Sequence, residues 1–117
     1  MNWFLVFLGG GIGSVLRFGI GQINILKQIS FPWATLLSNI LACLLFILFL
    51  SYVQKTPKIE WLQPFLLVGI CGGFSTFSTF SYENYQLFQS GNYLFLITNI
   101  IVSISVGMGS FMILKLN

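Results

Sequence analysis

The sequence predicts an all-α membrane protein of four transmembrane helices, the third of them broken. Three observations carry this. First, 56% of the 117 residues are hydrophobic and 6% charged, with mean hydropathy +0.93, whereas a soluble domain carries about 25% charged residues. Second, the length holds four stretches of about 20 residues and almost nothing else, so residues 1–117 read as one transmembrane domain with no separate soluble part. Third, Phe74-Ser75-Thr76-Phe77-Ser78-Thr79-Phe80-Ser81 repeats with a period of three inside an apolar segment, behind Gly69, Gly72 and Gly73 and ahead of Glu83. Solubility in lipid does not require such a stretch. A polar, aromatic, glycine-flanked interruption of a span belongs to a pathway or a binding site.

The elements follow in order. Span one covers about 3–23, span two about 31–53, span three about 61–88 and span four about 93–114. Each is expected to be helical, because an open sheet edge leaves unpaired backbone in hydrocarbon, and four spans are too few for a closed barrel. Trp3, Trp33 and Trp61 each open a span, where an amphipathic ring sits among headgroups. The linkers are Asn24 to Ser30, Gln54 to Glu60 with Pro57, and Gln89 to Asn92 with Gly91, short enough to force up-down-up-down order. The apolar start lacks a basic leader and a small-residue cleavage pattern, so it is read as a retained span.

Charge barely orients the chain. Lys55, Lys58 and Lys115 fall on one side, and Lys27 with Arg17 on the other. So weak a bias invites insertion in both orientations and an antiparallel dimer. Glycines supply faces for helix contact: Gly9, Gly13 and Gly21 recur with Arg17 at spacing four, and Gly69 and Gly73 form a second small-xxx-small pair.

Composition also excludes function classes. The net charge of +3 has no basic cluster behind it, which argues against nucleic acid, and there is no histidine. Cys43 and Cys71 lie in apolar spans without CxxC spacing and read as small buried hydrophobes, not as a zinc or redox pair. No nucleophile–base pair, phosphate loop or ligand cluster is present, so the chain is not expected to be an enzyme.

What remains is uncharged polarity on definable faces. Thr35 and Asn39 are one turn apart on span two, and Asn99, Ser103 and Gly107 are similarly spaced on span four. Ser75, Thr76, Ser78, Thr79 and Ser81 add hydroxyls to span three. A lone membrane serine commonly bonds back to its own helix. A buried asparagine needs a partner from another helix or a wet cavity. Phe77 and Phe80 project alike; spacing alone favours core packing, but ring edges are weakly positive, and the companion hydroxyls and glycines point toward the lining of an anion path. The glycines before the repeat suggest a helix break, whose freed carbonyls could coordinate a hard cation such as sodium. Arg17 and Glu83 are the charges near the membrane boundary. Arg17 either snorkels or faces a vestibule, and Glu83 either holds a structural bond or serves the path.

Residues 72–81 followed by Glu83 resemble the third-span signature of the Fluc (CrcB) fluoride channels. Gly9-Gly10-Gly11-Ile12-Gly13-Ser14-Val15-Leu16-Arg17-Phe18 is similar to that family's first span, and Pro32-Trp33-Ala34-Thr35-Leu36-Leu37-Ser38-Asn39 to its second. The resemblance implies passive export of fluoride across the cell membrane by an antiparallel dimer with two pathways. It implies that Phe77 and Phe80 line them, that Asn39 is a pore-facing amide, and that Ser78, Thr79 and Ser103 belong to the polar track. It also implies a structural sodium ion held by the backbone carbonyls of Gly72 and Ser75 from both subunits. Ser75 stands where the family commonly has threonine, and Asn99 where span four often carries tyrosine. Some members pair with a homologue, so a heterodimer stands beside the homodimer. Two rival classes are a small multidrug-type dual-topology transporter and a non-transporting membrane assembly subunit. The first would want a carboxylate in a central cavity, which span one lacks; the second leaves the hydroxyl–aromatic repeat unexplained.

Overall fold

The computed structural model describes residues 2–23 and 31–116, with side chains as far as residue 113. The linker Asn24 to Ser30 with Lys27, and the side chain of Lys115, lie outside the described residues. Helix α1 spans Asn2–Gly21 and α2 spans Trp33–Lys55. The third span begins with a π-wound segment, Gln63–Cys71, followed by one α-turn, Gly72–Phe74; together they form α3. Helix α4 runs Phe77–Gln89 and α5 runs Tyr93–Leu116. Four helical spans, with α3 and α4 sharing one, are long and apolar enough to cross a membrane. The 23 residues of α2, rising about 1.5 Å each, cover the roughly 30 Å of hydrocarbon.

Local chemistry sets the ends. Beyond α2 the Thr56 N–H donates to Val53 O and its hydroxyl to Tyr52 O, and Pro57 prevents continuation. The turn between α4 and α5 is complete in three residues. Gly91 takes φ 78°, a left-handed conformation that glycine adopts without strain. Its N–H reaches Phe88 O, and Asn92 N–H reaches Leu87 O at 3.0 Å. Asn92 then caps α5 by accepting from Phe95 N–H through Oδ1.

The closest packing is between α1 and α3, as the glycine spacing predicts. A Cβ on Gly9 would lie 2.5 Å from Phe65 O, and one on Gly69 2.9 Å from Gly9 Cα. Methyl groups on Gly13 or Gly73 would overlap the carbonyls of Ile70 and Gly10. Any side chain there would push the helices apart. Gly21 plays no part in this seam, since no described residue lies within 4 Å of where its Cβ would be. On the other side α2 packs on α5 through an edge-on Phe46–Phe111 pair, and Phe31 meets Phe95 edge-on at 5.4 Å. Thus α3 is docked on α1, α4 is tied to α5, and α2 touches both groups. Few side chains are buried within the one chain. Phe77, Leu94 and Met112 are among the large apolar residues left exposed, a surface suited to lipid or to a second subunit.

Candidate functional site: the break in the third span

The third span leaves helical geometry at two residues. Ser75 has φ −84°, ψ 158° and Thr76 has φ −150°, ψ 122°, both extended. The break therefore follows the glycines instead of falling on them. Gly72 and Gly73 are helical, and Gly73 serves contact with α1. Two extended residues in mid-span strand backbone groups that lipid cannot satisfy, so each needs a partner.

Asn39 supplies two. Its Oδ1 accepts from Thr76 N–H at 2.9 Å, and its Nδ2 donates to Thr76 O at 3.4 Å. The side-chain amide thus pairs with both backbone groups of one residue, as a neighbouring strand would. Asn39, expected as an asparagine within a span to need a partner from another helix or a wet cavity, lies at the break with its amide turned onto backbone. A primary amide carries two N–H groups, so one remains beyond the bond to Thr76 O.

Arg17 supplies another. Its Nε donates to Gly73 O at 3.2 Å, which sets a permanent cation at the C-terminal end of α3, where the helix dipole is negative. Arg17 thus ties α1 to the end of α3 at the break and also lines the cavity described below. The Thr76 hydroxyl caps α4 by accepting from Thr79 N–H at 3.2 Å, and it meets Ser78 Oγ at 3.3 Å. The Ser75 hydroxyl bonds back to Cys71 O at 3.1 Å, the ordinary fate of a membrane serine. Among the described residues no hydrogen bond is made to the carbonyls of Gly72 or Ser75, and both residues are exposed on the chain's outer side.

The rings stand where the break becomes α4. Phe77 and Phe80 have centroids 6.4 Å apart and planes tilted by 42°. Phe77 is 80% exposed and Phe80 half-buried, so Phe77 is not core packing within this chain.

A cavity of about 1040 Å³ is lined by Ser90 and Asn92 of the α4–α5 turn and by Ser38 and Thr76 at the break. Arg17, Thr35, Thr79 and Glu83 form its walls. One carboxylate oxygen of Glu83, Oε1, is buried without a hydrogen-bond partner among the described residues, while the Thr35 side chain lies against the carboxyl. The walls set hydroxyls and one guanidinium beside the carboxyl of Glu83, over apolar helix surface.

Ser103 lies apart from the break. Its hydroxyl donates to Asn99 Oδ1 at 3.4 Å, and Asn99 Nδ2 donates to Asn84 Oδ1 at 2.7 Å. Asn99, at 1% exposure, is fully buried; its need for a partner was legible, but the partner was not named. Asn84 is the residue that spacing arguments missed. Its signal was available, since an amide in a span demands a mate and Asn99 was seeking one. Among the described residues no group of three or more His, Cys, Asp or Glu could hold a metal ion.

Comparison with known proteins places this geometry. Residues 4–114 match the sequence model of the family described as CrcB-like protein, Camphor Resistance (CrcB). A Flavobacterium psychrophilum protein named fluoride-specific ion channel FluC is 45% identical over 108 residues, covering 91% of this chain and 86% of its own. Proteins of the same name from Phocaeicola vulgatus and Coxiella burnetii are 43% and 37% identical. They cover 88% and 91% of this chain, and 86% and 88% of their own length.

Proposed function

The chain belongs to the CrcB family, and on that footing we propose that it is a fluoride-selective channel that lets the ion leave the cell passively across the membrane. The observation that carries this is the match over residues 4–114, with relatives named as fluoride-specific channels. The break supports it. A small, strongly hydrated anion needs donors to replace its water, and donors that hold it weakly enough to release it. Hydroxyls of Ser78, Thr79 and Ser103, the spare Asn39 N–H and the edges of Phe77 and Phe80 are such donors. Arg17 at the cavity wall attracts the anion without standing between the rings. The work is conduction, so no residue acts as nucleophile or base.

Purified protein in sealed liposomes tests this. Fluoride efflux under a potassium-ionophore clamp is expected to be rapid, with chloride efflux at the level of empty vesicles. Comparable chloride flux would refute the reading.

A dimer fits the exposed outer side of the break. Phe77, Gly72 and Ser75 face away from the chain's own helices, and a second antiparallel copy would cover them. Such a dimer needs subunits in both orientations. A single thiol introduced by Lys58→Cys should label partly from each side of the membrane. Full labelling from one side alone would rule out dual insertion and favour a heteromeric partner.

The same face suits a structural sodium ion. Among the described residues the carbonyls of Gly72 and Ser75 accept no hydrogen bond, and two copies would contribute four neutral oxygens, the donor type a hard cation takes. The ion would supply positive charge to gather the ends of α3. Because the Ser75 hydroxyl is already bonded to Cys71 O, Ser75→Ala is expected to leave assembly intact. Gly72→Val should shift the protein to monomer on size exclusion, and a stable Gly72→Val dimer would exclude the site.

A further inference from the structure

The loop between α2 and α3 is held from both sides. At its start Thr56 is tied to the end of α2 through its N–H and its hydroxyl. Ile59 N–H donates to Thr56 O at 3.1 Å, and Leu62 N–H donates to Ile59 O at 3.3 Å. The Leu62 side chain is buried, and Trp61 meets Phe65 of α3 edge-on with centroids 6.1 Å apart. Lys58 and Glu60 therefore stand on a fixed frame. They share a groove of about 490 Å³ with Asn2, Ile59 and Trp61. Asn2 opens α1 and Trp61 stands just before α3. The groove thus lies where two spans begin, at the level an amphipathic ring favours.

Opposite charges in one groove would ordinarily close on each other. These do not. Among the described residues neither the Lys58 ammonium nor the Glu60 carboxylate makes an ion pair or a hydrogen bond, and both residues are exposed. One molecule carrying both signs, a short bridge apart, would satisfy the two together. The headgroup layer of a membrane supplies such molecules. A purely anionic headgroup would meet Lys58 but be repelled by Glu60. A choline headgroup carries both signs, yet its quaternary nitrogen has no N–H to give a carboxylate. An ethanolamine headgroup has a diester phosphate and a primary ammonium with three N–H donors, the donor set of a lysine side chain. It is also already confined to the layer that the groove faces, so little freedom is lost on binding.

We propose that this groove is a binding site for the headgroup of phosphatidylethanolamine. Lys58 and the Asn2 amide take the phosphate, Glu60 accepts from the ammonium, and Ile59 and Trp61 face the glycerol and the first carbons of the acyl chains. Asn2 belongs to α1 and the other residues to the loop that leads into α3. A bound lipid would therefore bridge the same two helices that meet at Gly9 and Gly69. The site is separate from the break, and the proposal does not depend on which ion the chain carries.

Native mass spectrometry of the full-length protein tests this, with phosphatidylethanolamine and phosphatidylcholine of identical acyl chains added in equal amounts. The parent is expected to retain the ethanolamine lipid about tenfold over the choline lipid, the worth of one hydrogen bond between charged groups. Glu60→Ala should bring the two lipids to equal retention. Lys58→Ala should weaken both and leave their ratio, since both carry the phosphate. Equal retention by the parent, a preference that survives Glu60→Ala, or undiminished binding after Lys58→Ala each overturns the proposal. So does a parent that retains phosphatidylglycerol ahead of phosphatidylethanolamine, which would mark a site for anionic lipid. Should Glu60→Ala elute differently from the parent on size exclusion, the lipid is varied instead. Mono- and dimethylated phosphatidylethanolamine lose N–H donors stepwise, and retention by the parent protein should fall with each methyl. A flat series refutes the contact with Glu60.

Discussion

Asn39→Leu is expected to abolish fluoride conduction. The substitution keeps the volume and apolar stem but removes the amide that pairs with both backbone groups of Thr76. A polar group left unpaired in a buried site costs about 1–3 kcal/mol, so two of them cost about 2–6 kcal/mol, a large fraction of the stability of a small fold. The chain can escape that penalty by closing residues 75 and 76 into helix. That would rotate Phe77, Ser78 and Thr79 away from their present places and bury the carbonyls of Gly72 and Ser75 in intrahelical bonds. Either outcome, instability or closure, removes the path. Asn39→Asp retains the acceptor for Thr76 N–H and loses the donor, so it should fall between the parent and Asn39→Leu. Fluoride efflux from liposomes, read beside size exclusion, checks both. An Asn39→Leu protein that conducts like the parent would show that the amide is dispensable to the break.

Phe77→Ile and Phe80→Ile should each strongly reduce flux while the fold and the dimer persist. Isoleucine is apolar and fills much of the space, but it has no positive ring edge to offer an anion. If each edge contributes about 1.4 kcal/mol at the barrier, the loss is about tenfold per ring. Tyrosine or methionine at either position should be gentler, both being large and polarisable. Because Phe77 is 80% exposed on the single chain, its replacement removes little intrachain packing, which makes it the cleaner of the two variants. Parental flux in both isoleucine variants would reduce the rings to packing and move the path to Asn39 and Ser103.

Much of this architecture was legible because its causes are local or periodic. Four spans follow from runs of apolar residues measured against bilayer thickness, and the α1–α3 seam from glycines four apart. The break was legible in kind, since hydroxyls and glycines crowd one segment, but it lies two residues beyond the glycines. Glycine permits a break, whereas Asn39 on another helix decides where one is stabilised, and that pairing spans 37 residues. The bond from Arg17 to Gly73 spans 56 residues and is equally invisible to spacing. The π-winding of Gln63–Cys71 has no local signature that we can identify. Asn84 went unremarked because one polar residue on a helix face looks ordinary until the next helix presents its mate.

The partners that α1 and α2 bring to the break precede it in the chain. Arg17 and the glycine seam belong to α1 and Asn39 to α2, so each has been synthesised before Ser75 and Thr76 leave the ribosome. A nascent chain matures from its N-terminus, and these two residues therefore arrive in a bilayer that already contains what they must bind. The following segment has the opposite difficulty. Helix α4 has 13 residues, about 20 Å of rise, too short to cross roughly 30 Å of hydrocarbon alone. It must enter either as the tail of α3 or as one arm of a hairpin with α5. The three-residue turn at 90–92 is finished by its own neighbours, so the hairpin can close as soon as the first turn of α5 is made. An insertion in that turn would detain α4 at the membrane surface and leave the break without its second half.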